Sequence, residues 1–332
     1  MMPDATIYDV AKTAGVSIST VSRVLNTPEQ VQEATRTRVL AAIDQLGFVP
    51  RAEATARARK GTGRIGILAP FFTYLSFTDR LRGVVMALAD SPYELVVYSV
   101  TSSAQRDGYL TRIVLNRQLD GLIVMALTVD DLATGRLLNH DLATVLVEVT
   151  NSAFSSVEID NEAGGRLAAE FLLDRGHRRC AFVGDSEVPD YAIPTSDWRL
   201  AGYRRSLLNA GMELPAAYIA LAPHGMEQAC QQVHQLLDLP QPPSAIFAPS
   251  DTQAMGVLKA ARERGLSVPH ELAVIGFDDV EIADYIGLTT IRQPLKESGR
   301  VAVELLLARL ADRSRPVQRV TLPLTLVQRE TA

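Results

Sequence analysis

The earliest apolar positions of the chain recur at helical spacing. Ile7, Val10, Ala11 and Ala14 fall at i, i+3, i+4 and i+7 and make one helix face. Thr6 is a capping residue with Asp9 three positions on, a relative of the capping box. Gly15 ends this helix, since a glycine turns left-handed just past the last periodic residue. Ser17 is placed to cap a second helix running to about Asn26. There Val21, Val24 and Leu25 can pack on the first helix, while Ser19, Ser22, Arg23 and Asn26 share the opposite side. A face of small hydroxyls with one Arg and one Asn is poor core. It suits a DNA major groove, where such groups bond base edges and phosphates. Spacing alone fits an ordinary surface hairpin of helices equally well.

After Gly63 the texture switches. RIGILAP, ELVVYSV, DGLIVMAL, TVLVEV, CAFVGD, AIFAPS and LAVIGFDD read as buried strands. Amphipathic stretches near 78–90, 103–116, 163–175, 197–210, 226–237, 252–264 and 296–310 lie among them. This alternation predicts parallel sheets covered by helices on both faces. The region is too long for one compact sheet, so two lobes are expected, with pocket residues following the carboxyl ends of strands. Residues 51–60, RAEATARARK, are alanine-rich, basic and too few for a stable isolated helix. They suit a linker that folds only when something holds it.

Residues 6–26 read TIYDVAKTAGVSISTVSRVLN. This resembles the DNA-binding headpiece of the lactose/galactose repressor (LacI/GalR) family, T-x-x-D-V-A-x-x-A-G-V-S-x-x-T-V-S-R-V-L-N, at every fixed position. VQEATRTRVLAAIDQLGFVP is similar to that family's third helix and the proline before its hinge. The resemblance implies an α helix-turn-helix headpiece followed by an α/β, two-lobed, periplasmic-binding-protein-like (type I) effector domain. The headpiece would span 1–49, a hinge helix or linker 50–62, and the effector-binding and dimerisation domain 63–332. The first lobe would take about 63–160 and 292–320, the second about 161–291 and 321–332. DNA contact is assigned to Thr6, Tyr8, Ser17, Ile18, Ser19, Thr20, Ser22, Arg23 and Asn26, with Ile18 and Ser19 as base readers. The family's hinge presses a leucine into the minor groove. Arg57 occupies that position here, as either a cation for a narrow minor groove or a plain linker charge.

The resemblance also assigns a cleft. LAPFFTYLSFTDRLRG is similar to P-x-x-x-N-P-F-F-x-x-L-x-x-G and places Phe77 at a ligand-stacking aromatic or in the core, with Tyr74 and Leu75 replacing the expected Asn and Pro. SDWRLAGY resembles R-x-x-G-[FYW], so Arg199 either bonds ligand hydroxyls or closes the lobes by a salt bridge. Asp251 and Asp278 resemble the A-x-[ND]-D and G-[FYW]-D-D positions. Asp278 is expected as a hydroxyl acceptor; Asp251 either meets ligand or caps the helix beside it. Glu148, at the end of an apolar run, is costly if buried unpaired, so it meets either solvent or ligand. One aromatic, one Arg and several carboxylates suit a neutral, hydroxyl-rich ligand such as a sugar better than a purine or an anion.

Charge sharpens the division of labour. The whole chain carries a formal −5, but residues 1–64 hold nine Lys/Arg against six acids, so only the N-terminal end favours DNA. Two cysteines outside any C-x-x-C indicate neither a disulfide framework nor a zinc site. The five histidines show no H-E-x-x-H, and neither G-x-S-x-G nor a P-loop occurs, so no enzyme, metal or cofactor is expected. No signal pattern and no apolar run near 18 residues is present, so a cytoplasmic protein without membrane contact is expected. The expectation is a homodimeric transcriptional regulator, a repressor on a near-palindromic double-stranded operator, controlled by a sugar. A solute-binding receptor or a sugar-modifying enzyme without a DNA role is the alternative.

Overall fold

A computed structural model of the chain describes residues 5–26, 31–46, 48 and 62–332. It divides into two compact units, Met1–Gly63 and Arg64–Ala332.

The smaller unit contains α1 (Ile7–Ala14), α2 (Ile18–Asn26) and α3 (Glu33–Leu46). The capping box at α1 is complete: the Asp9 N–H donates to Thr6 Oγ1 at 3.4 Å, and Asp9 Oδ2 accepts from the Thr6 N–H at 2.8 Å. The Thr6 hydroxyl, which donates to Asp9 Oδ2 at 2.6 Å, and then the Thr6 N–H hold the Asp9 carboxyl below its usual range. Gly15 sits at φ +65° as the left-handed cap, and Ser17 Oγ accepts from the Thr20 N–H at 3.2 Å. Val10, Ala11, Ala14, Val21, Val24, Val39 and Ala42 form the core of the three helices.

The larger unit is built on two six-stranded sheets. In the first, β1 (Arg64–Ala69), β2 (Glu94–Ser99), β3 (Gly121–Met125), β4 (Ala143–Val147) and β5 (Ser155–Glu158) are joined by a late strand, β11 (Arg319–Thr321). All neighbours are parallel, in the order β11-β5-β4-β3-β1-β2. Helices α4 (Leu75–Leu88), α5 (Ser103–Leu115) and α6 (Asp131–Asn139) connect its strands. The second sheet runs β12-β10-β9-β8-β6-β7, from β6 (Cys180–Asp185), β7 (Ile219–Ala222), β8 (Ala245–Phe247), β9 (Ala273–Asp278), β10 (Thr289–Arg292) and β12 (Thr325–Val327). Only β12 is antiparallel to its neighbour. Its helices are α7 (Asn161–Asp174), α8 (Thr195–Asn209), α9 (Met226–Leu237), α10 (Asp251–Glu263) and the short α11 (Glu281–Tyr285). A last long helix, α12 (Leu295–Ala311), packs with α4 on the first sheet.

The chain therefore passes between sheets three times: after β5, after β10 and after β11. The last passage follows Thr321, with β11 wholly in the first sheet. Buried clusters lie on both faces of each sheet, as the near-continuous apolar strands require. Among the described residues no helix is long and apolar enough to cross a membrane.

Candidate ligand cleft and nucleic-acid interface

Each sheet reverses its strand order beside its first strand, β1 against β3 and β6 against β8, and ligands in open α/β sheets lie at the carboxyl ends there. These ends face a common cavity of about 540 Å³. Phe71 and Tyr74 follow β1, Ala126 follows β3 and Glu148 follows β4. From the second sheet come Asp185, His224, Ser250, Asp278 and Gln293. Phe71, Ala126, Glu148 and Asp278 all hold positive φ (48°, 50°, 63° and 115°). Such backbone is disfavoured for residues with a Cβ and concentrates where function constrains the chain.

A row of buried polar groups forms one wall. Arg80 on α4 is 1% exposed; its Nη2 donates to Glu148 Oε1 at 2.7 Å and its Nε to Ser298 Oγ at 2.9 Å. Arg80 Nη2 also reaches Gln293 Oε1 at 3.4 Å, and the Gln293 amide donates to Asp278 Oδ1. Arg199 on α8 stands 3.8 Å from Asp278 Oδ1, donates to Asn161 Oδ1 at 2.9 Å and to the Pro249 carbonyl, and lies over the Phe277 ring. Burial pushes the Asp278 carboxyl up to about 6, against the pull of Arg199 and the Gln293 hydrogen bond. Burial likewise lowers Arg199, with Asp278 opposing.

The opposite rim is aromatic. Tyr74 stacks on His224 across the two lobes, centroids 4.4 Å apart and planes at 16°, and on Phe71 at 5.0 Å. His224 Nδ1 lies 3.1 Å from Asp185 Oδ1, and Gln253 Nε2 donates to the same oxygen at 3.0 Å. Burial, and then Asp185, raise the Tyr74 phenol above its usual range.

Of the five cleft residues expected from sequence, Phe77, Glu148, Arg199 and Asp278 line the cavity. Phe77 is nearly buried, packs edge-on to Phe71 and carries the Arg80 guanidinium over its ring, so it is both core and wall. Glu148 meets Arg80, and Arg199 meets Asn161, Pro249 and Asp278 of its own lobe rather than a group across the cleft. Asp251 is a correction. It is fully buried behind the wall, where Oδ1 accepts from Thr290 Oγ1 at 2.6 Å and Oδ2 from the Val280 N–H at 2.9 Å. The cap of α10 is Ser250, whose Oγ accepts from the Gln253 N–H, so Asp251 neither caps the helix nor lines the cavity. Burial and the neighbouring Asp278 hold its carboxyl well above the usual range. Arg80, Gln293, Tyr74 and His224 are cavity residues that sequence reasoning did not assign. Arg80 lay on the α4 face, three positions past Phe77; His224 follows a four-residue strand too short to recognise.

On α2, Ser17, Ile18, Ser19 and Arg23 are exposed and Thr20 and Ser22 half-buried, while Val21 and Val24 face the core. Ser17 Oγ lies 2.7 Å from Ser19 Oγ and 2.8 Å from Thr20 Oγ1, joining the hydroxyls at the helix start into one polar edge. Tyr8 on α1 is 68% exposed and Thr6 is exposed at its cap. The side chain of Asn26, Arg57 and all of 50–61 lie outside the described residues.

Residues 6–51 match the model of bacterial regulatory proteins of the lacI family, and 169–332 that of a periplasmic binding protein-like domain. The chain is 33% identical over 309 residues to catabolite control protein A of Priestia megaterium, covering 91% of this chain and 92% of that protein. It is similar to the crystal structure of the lac repressor dimer bound to operator and the anti-inducer ONPF, at TM-score 0.80 and 27% identity, over 99% of each chain. It also resembles the complex of the transcriptional regulator CelR with cellobiose, at TM-score 0.71 and 29% identity, covering 99% of this chain and 100% of that one.

Proposed function

This chain belongs to the lacI family of bacterial regulatory proteins, and on that premise we propose that it represses transcription under the control of a sugar bound in the cleft. The observation that carries the ligand class is the cleft wall. Glu148, Arg80, Gln293, Asp278 and Arg199 form a row of acceptors and donors whose formal charges cancel, opposite the aromatic rim of Tyr74 and His224. A hydroxyl donates to either carboxylate and accepts from either guanidinium, and an aromatic ring orients the apolar face of a pyranose or furanose. Sugar-bound relatives such as the cellobiose complex support the reading.

The α2 edge reads the major groove, with Ile18 and Ser19 toward base edges and Ser17, Thr20, Ser22, Arg23 and Asn26 toward bases and phosphates; Thr6 and Tyr8 add backbone contact. Residues 50–62 carry the hinge, with Arg57 against the minor groove. The working form is a cytoplasmic homodimer on a near-palindromic operator. Exposed Leu75, Val85, Met86 and Tyr285 on the larger unit supply apolar surface for the dimer contact. Operator selection from a pool of inverted-repeat duplexes, then fluorescence anisotropy with and without a panel of mono- and disaccharides, tests the reading. One sugar shifting operator affinity by about 5- to 150-fold is expected, the span of typical allosteric coupling. DNA binding without sequence preference, or indifference to every sugar, would overturn it.

A further inference from the structure

In the second lobe α9 and α10 pack side by side, close enough that a Cβ on Gly256 would lie 2.3 Å from the Met226 carbonyl oxygen, and beyond the cleft-lining start of α10 they hold a cluster that does not line the cavity. Cys230 and His234 are one turn apart on α9, and Glu263 ends α10. Their donor atoms converge. Cys230 Sγ lies 3.8 Å from His234 Nε2 and 3.5 Å from Glu263 Oε2, and these two are 2.9 Å apart. Zinc bonds of about 2.3 Å to sulfur and 2.0–2.2 Å to nitrogen and oxygen, at tetrahedral angles, place ligand atoms roughly 3.4–3.6 Å apart. The triangle already has nearly that size, with both helices as they stand.

We propose that Cys230, His234 and Glu263 form a three-ligand site for a divalent transition metal, best fitted by zinc, with the fourth position open to solvent. A thiolate, an imidazole and a carboxylate together select a borderline ion over magnesium or calcium, which take oxygen ligands. Thiolate and carboxylate supply two negative charges to match the ion. Cys230 is buried in the helix seam while His234 and Glu263 stand at its solvent edge, so the ion has a way in. The nearby cations touch the rim of the cluster but have other partners: Lys259, 3.8 Å from Glu263 Oε1, pairs more closely with Glu227, and Arg264 Nη2 lies 2.8 Å from Asp238 Oδ1. On binding, the thiol proton leaves to solvent and His234 carries its proton on Nδ1. Arg264 Nε, which donates to that Nδ1 at 2.9 Å, then turns toward Asp238. The bound ion staples α9 to α10.

Titration of the full chain with cobalt(II), followed by displacement with zinc(II), tests the site. One equivalent of cobalt should give a thiolate-to-cobalt charge-transfer band and the visible bands of four-coordinate cobalt; zinc should abolish both and raise the melting temperature. Cys230→Ala should remove the charge-transfer band, while Cys180→Ala, in a separate cluster, should leave it intact. Loss of an outer-shell partner alone weakens metal sites by about 10- to 100-fold, so His234→Ala and Glu263→Gln should each exceed about tenfold. Glu263→Gln keeps the shape of an exposed side chain and reports whether or not the cysteine variant folds. No charge-transfer band, or undiminished affinity in Glu263→Gln and His234→Ala, overturns the proposal.

Discussion

Glu148→Gln isolates the energetics of the cleft wall. The Arg80 and Glu148 side chains are 2% and 7% exposed with N and O 2.7 Å apart, and Glu148 is the one carboxylate in ion-pair range of Arg80 among the described residues. At that distance, and an effective dielectric of about 20, the attraction is about 6 kcal/mol. Gln returns part of it, because its oxygen still accepts from Arg80 and Arg80 keeps Ser298 and Gln293. Breaking a buried pair from one side typically costs about 3–5 kcal/mol, since a charge is left buried without its partner. For a domain of this size that lowers the unfolding midpoint by about 6–20 °C. Urea and thermal unfolding of the ligand-free protein, followed by circular dichroism, measure it. Adding Arg80→Met to Glu148→Gln should recover most of the loss, because methionine removes the charge and fills much of the volume. A Glu148→Gln effect within about 0.5 kcal/mol of wild type, or a double variant no more stable than the single, would refute the reasoning.

Gly165→Ala would place a Cβ 1.9 Å from the Arg199 carbonyl oxygen, so α7 and α8 must separate. A loss of at least about 1–3 kcal/mol in urea is expected, together with weaker sugar binding as Arg199 moves. Asp278, raised to about 6 by burial, takes up its proton on folding, so its own contribution to stability grows as pH falls from about 6 toward the unfolded value near 4. Sugar affinity should move the other way, falling below about pH 6 as the hydroxyl acceptor is protonated, and Asp278→Asn should flatten that calorimetric pH profile. Thr6→Ala removes the α1 cap and should cost the headpiece about 0.5–2 kcal/mol, read as faster amide exchange in α1 with the larger unit unchanged. Arg23→Ala should weaken operator binding by about 1–3 kcal/mol by anisotropy if Arg23 reads a base edge.

What was legible in the sequence follows from length and period. Long buried strands such as Ala273–Asp278 and amphipathic helices such as Met226–Leu237 declare themselves over many residues. Ile219–Ala222, Thr289–Arg292 and Thr325–Val327 do not, since three or four residues carry no period and their pairing is settled by the sheet they complete. The headpiece was legible throughout α1 and α2, where caps, core and exposed hydroxyls all agree. Asp251 was misread because a carboxylate at a strand end looks the same in sequence whether it faces the cavity or turns inward. Thr290 and the Val280 N–H, dozens of residues away, decide which. Gln293 escaped for the complementary reason: its meaning is its position between Arg80 and Asp278, which only the second passage between sheets creates.

That position also explains why the cleft should reject ligands without hydroxyls. Each lobe carries its own arginine and acid, Arg80 with Glu148 and Arg199 with Asp278, and Gln293 joins the two pairs. Each arginine stands where its helix meets another through reciprocal glycines. Gly83 and Gly299 bring α4 against α12, and Gly165 and Gly202 bring α7 against α8, so neither arginine's backbone can retreat without moving a helix pair. A ligand entering between them must take over hydrogen bonds the wall already makes. An apolar ligand displaces water and leaves four ionised groups with fewer partners, a penalty of about 1–3 kcal/mol per unsatisfied group and more for charged ones. A ring bearing hydroxyls restores each bond it takes, and its affinity is the surplus after that exchange. Selectivity here comes from what the wall refuses to leave unpaired, so it should survive loss of the Tyr74–His224 stack and fail on loss of Asp278 or Arg199.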